Sequence, residues 1–177
     1  MNRILKFFAF FCCSLFLAAC GDSNTCQKEV NTWLQANAYE MYYNTETEMM
    51  EAKALSIPFV VYGVNNDSVL YQDNNISAFS LPLNKFDSIT EFVFSTPFVQ
   101  VQDTVSDTIF VNDTLSFYHQ NELVLVSLEC GCTVNYTIDA FSFTVNAIDS
   151  VVLISNEVQV GTKNNFNIYF KRCKSAL

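Results

Sequence analysis

The chain has 177 residues, half of them hydrophobic, with seventeen Phe and eight Tyr against four Gly and three Pro. Such a composition fills a core and excludes a disordered or low-complexity chain. Eighteen acids against nine bases give a net charge of −9, which repels phosphate backbones and argues against nucleic acid as a partner.

Residues 1–6 carry Arg3 and Lys6 and no acid, and residues 7–19 are almost wholly apolar, ending Leu17-Ala18-Ala19-Cys20-Gly21. A basic start, thirteen apolar residues and a small-residue cut describe a secretory signal peptide over 1–19. Thirteen residues make a helix of about 20 Å, too short for a bilayer core of about 30 Å. The Cys at the cut resembles the lipobox of bacterial lipoproteins. That resemblance implies a diacylglycerol on the Cys20 thiol and an acyl chain on the freed amine, since two or more chains anchor stably where one does not. Cleavage would leave eighteen acids and seven bases, a net charge of −11. The expected partner is therefore the membrane, reached through lipid rather than through a basic patch. Residues 20–26 read as a tether, 27–173 as one domain, and 174–177 as a tail.

Further along, residues 27–54 are rich in helix formers, yet 33–43 also reads as a strand with Trp33, Tyr39, Met41 and Tyr43 on one face. We expect a strand there and a loop or helical turn over 45–53. From residue 56 the texture has period two. Leu115, Phe117 and His119 alternate with Ser116 and Tyr118. Val134, Tyr136 and Ile138 alternate with Thr133, Asn135 and Thr137; Phe141, Phe143 and Val145 with Ser142, Thr144 and Asn146; Phe166, Ile168 and Phe170 with polar residues and Tyr169. Each predicts a strand with one face on a core. Apolar runs at 58–62, 123–126 and 151–154 predict strands covered on both faces. Turn residues fall at Asn65-Asn66-Asp67, Asp73-Asn74-Asn75, Asn84, Asn112-Asp113, Gly161 and Asn164. The sum is an all-β chain, an antiparallel β-sandwich of roughly seven to ten strands, immunoglobulin-like in general architecture.

After cleavage, Cys26, Cys130, Cys132 and Cys173 remain beside the lipidated Cys20. In an oxidising envelope an even number of thiols reads as two disulfides. On one strand Cys130 and Cys132 would share a face and seek separate partners. Cys26–Cys130 with Cys132–Cys173 is the first of the three connectivities, and the exchanged pairing is next. A loop as long as 26–130 is worth about 4–5 kcal/mol on chain entropy. The Cys-x2-Cys spacing of zinc sites is absent, and Glu129 beside Cys130 opposes the lowered thiol pKa of a redox pair.

Little else suggests chemistry. His119 is the sole histidine, and its place on the apolar side of a strand marks it as structural. No Gly-x-Ser-x-Gly, phosphate loop, Gly-rich dinucleotide turn or His-Glu-x-x-His occurs, so no cofactor or metal is expected. Asp103, Asp107 and Asp113 lie close enough in sequence to suggest a carboxylate hydrolase or oxygen ligands for calcium, but their setting beside Ser/Thr fits turns. Tyr42, Tyr43, Tyr71 and Trp33 are candidate stacking platforms for a carbohydrate or peptide.

One pattern stands out. Asp followed by Ser/Thr and an aliphatic residue recurs six times, with central residues Ser68, Ser88, Thr104, Thr108, Thr114 and Ser150. Turn chemistry accounts for such triplets. They also resemble the O-glycosylation acceptors of Bacteroidota envelope proteins, in which the central hydroxyl carries the glycan.

The order Val61-Tyr62-Gly63-Val64, Asp67-Ser68-Val69-Leu70-Tyr71, Leu81-Pro82-Leu83-Asn84, Leu128-Glu129-Cys130-Gly131, Ile148-Asp149-Ser150-Val151 and Asn167-Ile168-Tyr169-Phe170 resembles a family of small Bacteroidota lipoproteins of unknown function. Members carry one Cys soon after the lipobox and one in a Glu-Cys-Gly setting, which implies that Cys26 pairs with Cys130. The resemblance implies location and fold and carries no activity. The expected role is a structural or binding module at the outer membrane, with no catalysis and with an unknown protein or glycan partner. Surface export in such bacteria uses an acidic run after the lipid Cys. Only Asp22 stands there, so the periplasmic face is favoured.

Overall fold

The computed structural model describes residues 30–55, 58–65, 68–74, 76–102, 105–128 and 130–171. Cys20, Cys26, Cys173 and Thr104 lie outside them, as does the segment read as a signal peptide.

Among the described residues, eleven strands form two sheets. One contains β1 (Trp33–Asn44), β2 (Met49–Ala54), β5 (Ala78–Pro82), β9 (Ile148–Leu153) and β11 (Phe166–Phe170). The other runs in the order β10 (Glu157–Val158), β8 (Gly131–Phe143), β7 (Val105–Ser127), β6 (Ile89–Gln102), β3 (Phe59–Gly63) and β4 (Val69–Asn74). Their pairings are antiparallel except β1 with β11, which run parallel with Ala36 opposite Phe166 and Glu40 opposite Phe170. The all-β sandwich expected from the sequence is what forms.

Phe rings close the two sheets on each other. Phe79 and Phe170 from the first sheet meet Phe59 and Phe94 from the second, with centroids 5.7–6.3 Å apart. A second group places Phe166 between Phe117 at 4.9 Å and Phe141 at 5.2 Å. Edge-on and offset rings at these spacings add to the burial of large apolar area.

Asn165 locks β1 to the connection before β11. Its backbone amide donates to the Gln35 carbonyl, its Oδ1 accepts the Gln35 amide, and its Nδ2 donates to the Ser155 and Glu157 carbonyls. A buried amide with these partners satisfied fixes the parallel register.

Several local expectations change. The helix formers of 49–54 make β2 instead, because β1 offers a free edge that pairs Tyr42 with Glu51 and Tyr43 with Met50. In β1 the buried row is Leu34, Ala36 and Ala38, while Trp33 and Tyr43 stay exposed. The two alternating runs at 133–139 and 141–146 belong to one strand, β8. A bulge there sets Ala140 opposite Tyr118 and Ile138 opposite His119. The extra residue, Asp139, moves the inward row from even to odd numbers. Asn112 and Asp113 form no turn; they sit in β7 opposite Ser95 and Phe94. The runs at 123–126 and 151–154 are not covered on both faces, since Leu123, Leu125, Val152, Leu153 and Ile154 are exposed.

Candidate binding end of the sandwich

The polar groups most capable of chemistry are engaged by the fold itself. His119 is buried against Tyr136, with ring centroids 5.3 Å apart and planes at 89°. Asn121 donates through Nδ2 to the Asp87 and Asn84 carbonyls, which turns its Oδ1 toward His119 Nδ1 at 2.7 Å. Nδ1 therefore carries the proton, and Nε2 accepts from the Thr90 hydroxyl at 2.8 Å. The Thr90 oxygen in turn accepts the Asn84 amide. Thr90, His119 and Asn121 thus have the connectivity of a nucleophile, base and orienting amide. The chain of bonds instead closes on the 84–90 loop, which His119 also holds by donating its backbone amide to Ser88. Burial lowers the imidazole pKa, offset in part by the Asn121 bond and the charges of Asp87 and Asp139.

Asp113 is fully buried and accepts from the Thr144 hydroxyl and from the amides of Asn146, Ala147 and Ile148, at 2.6–2.8 Å. Asp107 is exposed six positions earlier on β7, so these two carboxylates do not face one another, and Asp103 lies outside the described residues. No group of three metal-ligating side chains occurs among the described residues. Glu51 receives Thr47, Tyr42 and Asn44, which hold its carboxyl below the usual carboxylate range and close the β1–β2 hairpin.

Cys130 is disulfide-bonded. It lies in the turn before β8, not on the strand, and Gly131 follows with a φ of +72°. The pair therefore does not share a strand face as expected. Cys132 is free and exposed, which corrects the expected Cys132–Cys173 bridge.

Of the triplet hydroxyls, Ser68, Ser88 and Thr108 are exposed, and Thr114 and Ser150 are half-buried within β7 and β9. Turn chemistry explains Asp87, whose Oδ1 accepts the Ser88 amide. It does not explain Asp107, Asp113 or Asp149, which lie inside strands.

Two clefts open where the described chain begins. Val30 and Thr32 lie against Thr133 through hydrogen bonds, and both clefts share Asn31 and Trp33. A polar cleft of about 520 Å³ adds Gln35, Tyr71, Ser80, Gln159 and Thr162. Tyr71 is held in it by donating to the Ser80 carbonyl and accepting the Ser80 amide. A more apolar cleft of about 630 Å³ adds Phe86, Leu123, Cys132, Val134 and Tyr136, with Lys85 at its side. Of the four expected stacking residues, Trp33 and Tyr71 meet in one cleft. Tyr42 and Tyr43 sit some nine residues farther along β1, about 30 Å away. The apolar cleft was not foreseen, because Leu123 and Val134 read as core.

No curated protein and no solved structure matches the chain. A model of a family of unknown function, DUF6452, matches residues 58–170, from just before β3 to the end of β11. This stretch contains the Phe core, the Asp113 and His119 networks and most of both clefts, and the chain belongs to that family.

Proposed function

We propose that the protein is a lipoprotein of the Bacteroidota outer membrane, cut before Cys20 and held by lipid on that thiol. Its β-sandwich acts as a structural or binding module without catalysis. The observation that carries this is the run Leu17-Ala18-Ala19-Cys20 after a basic start and an apolar stretch. The disulfide at Cys130 supports an oxidising compartment. The internal saturation of His119 and Asp113 supports a non-catalytic role. Metabolic labelling with a palmitate analogue tests it: the protein takes up label and Cys20→Ala does not. Unlabelled wild-type protein would remove the anchor. Asp22 alone follows the lipid Cys, which favours the periplasmic face; protease resistance in intact cells is the expected result.

The partner of Cys130 in this reading is Cys26. Val30 is bonded to Thr133, and four residues back to Cys26 span at most about 14 Å. Lys171, by contrast, is fastened to the Val145, Asn146 and Ala147 carbonyls just past the far end of β8. The thirteen residues of β8 are about 40 Å long. Cys173, two residues beyond Lys171, does not cover that distance.

A second reading rests on the cleft where Trp33 and Tyr71 meet the amides of Gln35 and Gln159. Aromatic and amide groups of this kind suit a carbohydrate or an extended peptide. Trp33 is the sole tryptophan, so its emission reports titration with chitotriose, maltotriose or a neutral tripeptide. Emission unchanged by all three removes this reading. The exposed Ser68, Ser88 and Thr108 are the first candidates for O-glycans; native protein heavier than its lipidated polypeptide is the expected mass.

A further inference from the structure

We infer that the Trp33 end of the sandwich rests on the bilayer, with Phe86, Leu123, Leu125 and Leu128 reaching the acyl–headgroup boundary. The inference builds on the lipid anchor proposed above. Along β7, Leu115, Phe117 and His119 face the core, and Asn121, Leu123 and Leu125 continue the same row because side chains alternate. There the row is uncovered, with Leu123 71% and Leu125 59% exposed. Val134 stands opposite Leu123, and Cys132 opposite Leu125. Phe86 from the β5–β6 loop and Leu128 from the β7–β8 turn add rings and branches that are 88% and 95% exposed. So much unburied apolar surface at one end of a domain marks an interaction site.

The length of chain preceding the patch says what covers it. Val30 lines the same cleft as Phe86 and Leu123. It lies ten positions from Cys20, a span of at most about 35 Å. A lipidated Cys20 therefore keeps this end beside the membrane at high effective concentration. An acidic domain of net charge −11 gains nothing from anionic headgroups, so the contact is an apolar one with Trp33 at interface depth. The opposite end of β7, carrying exposed Ile109 and Phe110, lies fifteen residues from Leu125, about 50 Å away.

The test reconstitutes the lipidated protein into vesicles of phosphatidylethanolamine and dibrominated phosphatidylcholine and reads Trp33 emission. Loss of emission in brominated vesicles is expected. It should be reversed by the joint variant Phe86→Ser, Leu123→Ser, Leu125→Ser, Leu128→Ser, and retained in Phe110→Ser. These side chains are exposed, so circular dichroism should show each variant folded. Intact mass separates the two ideas. Lipidated protein whose Trp33 is not quenched overturns the seat and leaves the anchor, whereas protein lacking lipid overturns both. Concentration-dependent dimerisation of lipidated protein in detergent that the joint variant abolishes would give the patch to a second copy and overturn the proposal. Trp33 emission that shifts red without vesicles when 21–25 become Gly-Ser would give it to the tether, with the same consequence.

Discussion

Asp113 Oδ2 accepts the Ile148 amide at 2.8 Å across thirty-five positions of sequence, and with its second oxygen the same carboxylate gathers Thr144 and Asn146. One buried side chain on β7 thereby shapes the link from the sheet of β8 to the sheet of β9. Its two oxygens accept from four donors, and the buried Ala147 and Ile148 amides would lose this partner without it.

Asp113→Ala should destabilise the domain by about 3–4 kcal/mol, the cost of several charge-assisted bonds and buried unpaired amides. Asp113→Asn should recover little, because its NH₂ would confront amide N–H groups. Urea unfolding with an unchanged slope checks both.

His119 ties stability to pH. Burial lowers its folded pKa below the unfolded value, so the unfolded chain binds the proton more readily. The stabilisation is whole above the ordinary imidazole range and is lost as pH falls from there through the lowered folded value. As the chain has one histidine, His119→Gln should flatten this part of the profile. Thermal midpoints from neutral to mildly acid pH measure it.

Thr96 is buried in β6, and its hydroxyl has no hydrogen-bond partner among the described residues. Thr96→Val removes that uncompensated desolvation at constant shape and should be neutral or stabilising by about 1 kcal/mol. A loss of stability would show that the hydroxyl has a role.

The thiols should separate by position. Cys130→Ser should lose about 4–5 kcal/mol, as expected for a loop of about a hundred residues. Cys132→Ser should change stability by less than about 0.5 kcal/mol, as for an ordinary surface site. Non-reducing peptide mapping should join the peptides of Cys26 and Cys130; a Cys130–Cys173 peptide would contradict that pairing.

What the sequence determined by itself is the class of the fold and much of its core. Period two in 166–170 and 115–119 is a local property, and it correctly named Phe166, Ile168, Phe170, Leu115 and Phe117 as buried. The even-to-odd slip after Ile138 was also visible, but it reads equally as two strands or one bulged strand; only pairing with β7 decides. The Asn112-Asp113 pair looked like a turn because those residues close turns, whereas four donors thirty or more positions away make Asp113 a core residue. The run 123–126 looked buried, yet Leu123 and Leu125 are exposed. The candidate end was half legible for a related reason. Trp33 and Tyr71 were marked as aromatic platforms, but their meeting depends on β5, which pairs with β1 while its Ser80 binds Tyr71. Alternation says which face of a strand turns inward. How far a neighbour covers that face is set by partners distant in sequence, and that belongs to the tertiary structure alone.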